Sequence, residues 1–346
     1  MPSRYARNCD HCGQYYEGYG ERFCSRECTG ASFSTDPKTS DEPLSLVPGF
    51  VDWEPPENVD WREWFDAWEN VLELHKRMDP TQEILTIDLS TSTEPIAIAF
   101  ASDLHMGGGF TNHAAIRKTI EYIIETDGLY LGITGDSIEG FLPGVNPSEA
   151  VENQTASVKG QLGALNSLVQ ELSDRKKFLW MTYGEHDGKW WEKAVGVNMI
   201  KWECHDRVPY FTGRGIIRLL LGDQEYFICV NHRERFQSQW NKVHPARRQY
   251  ERMFPADVNA TAHLHSPAYA CEHHYDDLRR MGLNLGGKHW MIQSGTFKTG
   301  PDPYTIRGWT RGILGVPTVV FQPDHHDTDC LDSPFKAMGL VRGMAA

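Results

Sequence analysis

The sequence of 346 residues contains no uninterrupted apolar stretch long enough to cross a bilayer. Its first residues, "MPSRYARNCDHC", are polar and include none of the apolar core that a secretory signal needs. An excess of positive charge is also missing: the formal net charge is −13, whereas proteins that coat nucleic acid over their whole surface are usually basic. We therefore expect a cytoplasmic protein that makes no membrane contact and touches nucleic acid only locally, if at all.

Four of the eight cysteines lie within the first 28 residues. A Cys-x2-Cys pair is followed by eleven residues and then a Cys-x3-Cys pair. Because we expect a reducing compartment, these cysteines are better explained by a metal site than by disulfides. Four thiolates at this spacing suit a tetrahedral zinc ion, whereas four free cysteines would leave the clustering unexplained. The sequence predicts a small four-cysteine zinc finger over residues 1–30, which resembles a treble-clef or zinc-ribbon finger and depends on its metal for folding. The structural zinc ligands would be Cys9, Cys12, Cys24 and Cys28.

The pattern of the chain changes twice after the predicted finger. Residues 31–94 begin with a linker rich in Ser and Pro, continue with an amphipathic helix over 59–78 whose tryptophans we expect in a core, and end with a leading strand. From residue 84 short apolar strands alternate with helical stretches near 112–126, 150–174 and 245–253. This pattern predicts an α/β layered domain over residues 95–322. Residues 323–346 read as a C-terminal tail with little regular structure.

Acidic and histidine side chains follow five of the predicted strands. Each motif alone is weak evidence, because a lone Asp-x-His is more often an ordinary turn. In open α/β sheets, however, sites form beyond the carboxyl ends of the strands, so residues far apart in sequence can converge there. The residues in question are Asp103 and His105, Asp136, the run Glu185, His186 and Asp187, then His232, and finally His263 and His265.

These five motifs, in this order, resemble those of the calcineurin-like metallophosphoesterases, and the resemblance covers Pro95–Gln322. It implies a four-layer α-β-β-α sandwich with two metal ions at the strand ends. On this resemblance His186 faces the leaving-group oxygen, and the following acid, Asp187, orients the imidazole. The first ion would be held by Asp103, His105 and His265, Asp136 would bridge both ions, and His232 and His263 would hold the second.

The chemistry of phosphoester hydrolysis accounts for these residue types. Two divalent cations neutralise the anionic ester, and a hydroxide that bridges them serves as the nucleophile. A mixed nitrogen and oxygen ligand set suits Mn, Fe, Zn or Ni. A histidine such as His186 can give a proton to the leaving alkoxide.

The sequence departs from the family pattern in ways that bear on function. Glu185 replaces an asparagine that binds the second ion; its carboxylate could bind that ion too, or it could repel phosphate and weaken catalysis. Glu139 stands where the family often has Asp or Asn behind the ligands. The arginine of the protein-phosphatase branch is missing from "GDSIEGF", and "SDLHMGG" looks more like the phosphodiesterase and DNA-repair-nuclease branches.

Two further residues are candidates for substrate contact. Arg233 directly follows His232 and could bind phosphate, while His113 could touch substrate or simply start a helix. The leading hypothesis is a dinuclear metal-dependent phosphodiesterase or nuclease acting on nucleic acid or nucleotides, in a phage or bacterial DNA-processing context. One alternative is a phosphomonoesterase acting on a nucleotide or a phosphoprotein. The other is an adaptor that keeps the fold with a weakened site and binds nucleic acid or protein.

Overall fold

A computed structural model describes residues 5–8, 15–18, 60–78, 84–204, 206–235, 238, 240–273, 287–301 and 312–344. The chain divides into two compact units, Met1–His75 and Lys76–Ala346. The four cysteines of the predicted zinc finger lie outside the described residues, so that prediction stays open.

The described part of the first unit contains a hairpin and most of one helix. Strands β1 (Tyr5–Asn8) and β2 (Tyr15–Gly18) pair antiparallel on either side of residues 9–14. Helix α1 (Trp61–Met78) lies close to where its periodicity predicts it. Three of its aromatic side chains are not buried as expected, because Trp64, Phe65 and Trp68 are 47%, 53% and 57% exposed. These aromatic rings pack on one another one turn apart along the helix, at 5.4 and 6.0 Å.

The second unit is built on two six-stranded sheets. The first sheet has the order β14-β13-β4-β5-β6-β7. The four strands from β4 to β7 run parallel to one another, β13 is antiparallel to its neighbour β4, and β14 is antiparallel to β13. Its strands are β4 (Ile96–Ala101), β5 (Leu129–Thr134), β6 (Phe178–Thr182), β7 (Tyr210–Phe211), β13 (Thr318–Phe321) and β14 (Thr328–Leu331).

The second sheet has the order β11-β12-β10-β9-β8-β3. Strands β9, β10 and β12 run parallel to one another, whereas β8 and β11 are antiparallel to their neighbours β9 and β12. The leading strand β3 joins this sheet at its edge, parallel to β8. The strands are β3 (Ile84–Leu89), β8 (Gly215–Leu221), β9 (Gln224–Asn231), β10 (Val258–Thr261), β11 (Ala268–His273) and β12 (Lys288–Gln293).

Helices cover both outer faces of this pair of sheets, which confirms the four-layer α-β-β-α architecture. Four helices contribute buried side chains to the core on one outer face of the first sheet. They are α2 (His113–Glu125), α4 (Val158–Asp174), α6 (Met199–Cys204) and α8 (Pro334–Met344). On the outer face of the second sheet, α7 (His244–Arg252) packs on Met291. Shorter helices are α3 (Ser148–Glu152) and α5 (Trp190–Val195). No helix in the described parts of the chain is long and apolar enough to span a membrane.

Strand β4 shows how the sequence specifies these layers. Its six residues are all buried, and successive side chains point to opposite faces. Ala97, Ala99 and Ala101 belong to the core beneath the helices, where small side chains let the helices approach. The larger Ile98 and Phe100 belong to the core between the two sheets. An apolar strand with small residues on one face is therefore typical of a central position in this fold.

The C-terminal residues do not form the unstructured tail that the sequence suggested. Strand β14 extends the first sheet. Helix α8 buries Ala337, Met338 and Val341 in the core between that sheet and its outer helices. The expectation was wrong because "TDCL" is a short edge strand with little apolar content. Helix α8 likewise carries only a narrow apolar face, interrupted by glycines.

Candidate metal centre

The carboxyl ends of β4, β5, β6, β9 and β10 meet at one place, and each carries predicted site residues. Six of the seven predicted metal ligands, together with His186, form three clusters whose potential ligand atoms lie within 4.8 Å of one another. The clusters are Asp103 with His105 and His265, His105 with Asp136 and His186, and Asp136 with His232 and His263. The convergence expected from strand ends in an α/β protein is thus observed for these residues.

Five of these residues have a left-handed backbone conformation, which non-glycine residues adopt at a cost of about 1–2 kcal/mol. The φ angles are 49° at Asp103, 46° at His105, 51° at Asp136, 72° at His263 and 54° at His265. Among the other described non-glycine residues, Lys176 alone shares this feature. Backbone strain concentrated in this way is typical of functional sites, where the surrounding structure holds the side chains in one direction.

The first cluster is centred on the buried carboxylate of Asp103. Its Oδ1 lies 2.9 Å from Nε2 of His265 and 3.8 Å from Nε2 of His105. Its Oδ2 accepts hydrogen bonds from the Ser102 hydroxyl and from the backbone N–H of His263. One carboxylate oxygen is thus fixed by the protein, and the other faces two imidazoles.

The second cluster has the same organisation around Asp136. Its Oδ1 accepts a hydrogen bond from the backbone N–H of His186 at 2.9 Å, while its Oδ2 lies 3.2 Å from Nε2 of His232. The other ring nitrogen of His232 is 2.7 Å from the carbonyl of Thr134. Because a carbonyl only accepts, Nδ1 of His232 carries the hydrogen and Nε2 is the nitrogen that faces the cluster.

These donor sets fit divalent transition-metal ions. They combine imidazole nitrogens with carboxylate oxygens, a mixture that suits such ions. Although Oδ1 of Asp103 and Nε2 of His232 are buried, no hydrogen bond from the described residues reaches either atom. Both lie within the clusters, where a cation would satisfy them. The hydrogen bond from His232 to a carbonyl also matches the way metal-binding histidines are usually oriented.

Opposite charges inside the clusters hold the carboxylates in their anionic form. Burial alone would raise the pKa of Asp103, but His265 and His105 outweigh it and keep the pKa well below its usual range. The pKa of Asp136 is likewise lowered, chiefly because the His232 cation outweighs the effect of burial. Anionic carboxylates are the form that binds cations.

The histidines divide into two groups by charge environment. Burial disfavours the cation at His105 and His232, but neighbouring carboxylates raise their pKa values to about 9 and 10. At His186 and His263 burial prevails, together with the nearby His105 and His232 cations, and both pKa values fall to about 4. His186 and His263 are therefore neutral near pH 7.

The predicted catalytic residues His186 and Asp187 lie on a single π-helical turn, Glu185–Lys189. Nδ1 of His186 is 2.6 Å from the carbonyl of Glu139, which fixes the ring and leaves Nε2 free for another partner. The Asp187 carboxylate accepts hydrogen bonds from the backbone N–H groups of Ser137 and Gly184. Burial and the nearby Asp136 raise the pKa of Asp187 to about 6. Asp187 thus ties together the loops that carry Asp136 and His186.

Glu185, the predicted ligand that replaces an asparagine, lies beside the second cluster. Its Oε2 is 3.1 Å from Nδ1 of His263, while its Oε1 pairs with Arg233 and lies 3.6 Å from Nζ of Lys189. Burial raises the pKa of Glu185, but His263 and Arg233 outweigh it and lower the pKa overall. The extra negative charge of Glu185 is therefore balanced by cations at the rim of the site.

The two predicted substrate-contact residues lie at the edge of the centre. The Arg233 side chain is half exposed and forms the ion pair with Glu185. His113 is the first residue of α2, and its Nε2 accepts a hydrogen bond from the N–H of Gly107. The preceding Asn112 caps this helix through its side chain, which accepts from the N–H of Ala115.

One residue behind the clusters, Lys298, was missed at the sequence level. Lys298 and Glu139 form a buried ion pair with 2.6 Å between Nζ and Oε1, directly behind His105. Lys298 follows β12 at the carboxyl end of a parallel strand, in the same way as the predicted ligands follow theirs. That position was the available signal, but a single lysine in a loop is usually solvated and drew no attention.

No protein-family model matches the sequence, and no curated protein matches it. Calcineurin-like phosphoesterase YfkN from Bacillus subtilis is similar in structure at a TM-score of 0.35, with 7% identity, over 73% of this chain and 97% of that one. Vps29 from Chaetomium thermophilum gives a TM-score of 0.33 and 10% identity, over 70% of this chain and 100% of that one. A 5'-nucleotidase from Candida albicans gives a TM-score of 0.33 and 12% identity, over 73% of this chain and 54% of that one. These TM-scores are all below 0.5.

Proposed function

We propose that this protein is a metal-dependent phosphoesterase with two divalent ions at the convergent clusters. The observation that carries the proposal is the coincidence of two features in the same residues. Asp103, His105, Asp136, His263 and His265 both converge as potential metal ligands and adopt a strained left-handed backbone. A purely structural set of polar residues gives no reason for strain at each of them.

The residues have distinct roles in this proposal. The first ion would be held by Asp103, His105 and His265, the second by His232, His263 and Glu185, and Asp136 would be shared. When bound, two divalent ions neutralise the charge of a phosphoester, hold it in line and make water more acidic. The clusters present nitrogen and oxygen donors that suit Mn, Fe, Zn or Ni.

His186 would assist the leaving group. Its Nδ1 donates to the Glu139 carbonyl, so Nε2 is the ring atom available to a substrate oxygen. Nε2 can give a proton only from the imidazolium form, and a bound phosphate anion would raise the pKa of His186 from about 4 toward that form. The ring also packs against Trp190 and Phe141, with centroids 4.1 and 5.0 Å away, which fixes its plane. Asp187 would act indirectly, because its carboxylate holds the backbone of the loop that carries His186.

Phosphodiesters, in nucleic acid or nucleotides, are the substrates we propose. Arg233, beside Glu185 at the rim, would donate to a phosphate oxygen, while the carboxylate reduces the positive charge presented to the substrate. A diester carries one negative charge at its phosphate and a monoester carries up to two, so a rim of low net charge is better matched to a diester. Metal identity and the zinc finger of residues 1–30 belong to the same proposal.

The test combines metal analysis with a pair of chromogenic substrates. The purified full chain would be assayed for bound metal, and then for hydrolysis of bis(4-nitrophenyl) phosphate and 4-nitrophenyl phosphate with and without Mn²⁺. We expect diester turnover that disappears in Asp136→Asn and His186→Ala. His289→Ala is the matched control, because His289 is fully buried and bonds to the carbonyl of Ala256, outside the centre.

The contrary outcomes are distinct. A preference for the monoester would replace the diester proposal with a phosphomonoesterase. Two bound ions without turnover of either compound or of nucleic acid would point to the adaptor. Equal loss of activity in His289→Ala and His186→Ala would mean that general damage to the fold, rather than the chemistry of His186, explains the result.

A further inference from the structure

A buried lysine, Lys298, lies behind the first metal cluster. Its Nζ is 2.6 Å from Oε1 of Glu139, and both side chains are almost fully buried, at 5% and 4% exposure. The other carboxylate oxygen, Oε2, lies 3.0 Å from Nδ1 of His105, and neither atom has a hydrogen-bond partner among the described residues. Three side chains therefore form a continuous line, Lys298 to Glu139 to His105, that ends at a potential ligand of the first ion.

The backbone places Lys298 with little freedom. The hydroxyl of Thr296 and the N–H of Phe297 both donate to the carbonyl of Asp103, at 2.8 and 3.0 Å. The N–H of Lys298 in turn donates to the hydroxyl of Thr296 at 2.9 Å. The segment that carries the lysine is thus anchored to the loop that carries Asp103.

The Glu139 carboxylate is also confined on its other side. Gly108 approaches so closely that a Cβ at this position would lie 2.9 Å from Oε2 of Glu139. The ammonium group of Lys298 lies 5.2 Å from the ring centroid of Phe141, a distance at which a cation is attracted to the aromatic face. Since both partners are held in place, the direction of the carboxylate toward His105 is fixed.

A buried ion pair of this kind is not explained by stability alone. The cost of removing two charges from water often exceeds their mutual attraction, so buried pairs add little net stability to a fold. A carboxylate behind a metal-binding histidine has a known use, because it fixes the ring and its tautomer while the opposite nitrogen binds the ion. Nε2 of His105, the nitrogen away from Glu139, is the one that faces Asp103 and His265.

We propose that Lys298 is a positioning residue for the first metal ion, because it holds the Glu139 carboxylate against Nδ1 of His105 so that Nε2 is presented to the ion. This inference rests on the metal centre of the proposed function but not on its substrate. In this proposal Lys298 acts on the ion through Glu139 and His105.

The test measures metal affinity directly and does not depend on catalysis. The metal-free full chain would be titrated with Co²⁺, with the absorption of the bound ion as the readout, for the wild type, Lys298→Met, Glu139→Gln and the double variant. We expect each single variant to weaken first-ion binding by about 10–100-fold, as changes behind a metal ligand typically do. The double variant should lose no more than Glu139→Gln alone, because Lys298 acts through Glu139. Lys298→Arg keeps the charge and should stay within a few-fold of the wild type.

Lys177 provides a matched control, because it is a buried lysine that serves only the fold. It is 8% exposed, and its Nζ donates to the carbonyls of Thr126 and Leu129. Lys177→Met should lower the thermal midpoint and leave Co²⁺ affinity unchanged. Wild-type affinity in Lys298→Met, an equal loss of affinity in Lys177→Met, or additive losses in the double variant would each overturn the inference.

Two further outcomes keep the inference separate from the proposed function. If Lys298→Met does not unfold cooperatively, the Co²⁺ affinities of Lys298→Arg and Glu139→Gln are compared instead. A large loss of affinity in both would refute the role of the lysine charge, because Lys298→Arg keeps that charge. If the wild type binds two ions but hydrolyses no phosphoester, while Lys298→Met still weakens the first ion, the proposed function fails and the inference stands.

Discussion

The Glu185 carboxylate connects the second cluster of potential metal ligands to Arg233. One oxygen pairs with the guanidinium, and the other lies 3.1 Å from Nδ1 of His263. The negative charge of Glu185 is therefore accompanied by a compensating cation. Arg233 follows His232 directly, so both ends of this connection depend on the carboxyl ends of strands, those of β6 and β9.

Replacement of Glu185 by asparagine should weaken the second ion selectively. The amide keeps an oxygen donor but loses the negative charge, so we expect a lower affinity for the second ion, by roughly tenfold on the scale of changes around metal ligands. Stepwise Co²⁺ titration of the metal-free protein would resolve the two ions. Unchanged affinity at the second step would show that Glu185 serves the rim and not the ion.

Removal of the Arg233 side chain should impair substrate binding more than folding. A hydrogen bond to a charged group is worth about 1.5–3 kcal/mol, so Arg233→Ala should reduce kcat/KM for a phosphodiester by about tenfold or more, chiefly through KM. The thermal midpoint should hardly change, because half-exposed ion pairs contribute about 0–1 kcal/mol. Arg218→Ala is the control, because it removes the exposed ion pair with Glu225. It should leave kcat/KM and the thermal midpoint unchanged. A fall in kcat alone would contradict a role in phosphate binding.

The convergence of the ligands could be predicted from the sequence because it depends on local patterns. Apolar runs marked the strands, and the polar residues directly after them marked the site. The register of parallel strands then brings residues such as Asp103 and Asp136 together without further information.

Other features depend on contacts that no local pattern reveals. The pairing of Lys298 with Glu139 joins residues 159 positions apart, so the sequence pattern singled out Glu139 but not its partner. The left-handed backbone at His105 and His265 is imposed by the surrounding loops against the preference of the residue. The exposure of Trp64 and Trp68 was not foreseen because periodicity shows that a helix has an apolar face but not whether anything covers it.

The glycines after His105 offer a test of close packing near the centre. A Cβ at Gly109 would overlap the backbone carbonyl oxygen of Asn153, which has little freedom to move. We expect Gly109→Ala to destabilise the protein by about 1–3 kcal/mol, as overpacked substitutions do. Gly163, inside α4, has no atom from outside its own helical backbone within 4 Å of such a Cβ, so Gly163→Ala should instead stabilise by about 0.5–1 kcal/mol through helix propensity. The two variants would be compared by their urea unfolding midpoints in metal-free protein. A change of the midpoint in the same direction for both variants would refute this account.

The strain at the ligands can be measured apart from any metal or substrate. His265 has φ of 54°, so an alanine there keeps the unfavourable backbone whereas a glycine relieves it. In metal-free protein we expect His265→Gly to be more stable than His265→Ala by about 1 kcal/mol, which is the cost of the left-handed conformation. His232 is the matched comparison, because its backbone is outside that region and glycine should there be no better than alanine. If glycine and alanine were equivalent at position 265, the loop would relax without the imidazole, and the strain would come from the histidine contacts rather than from the scaffold.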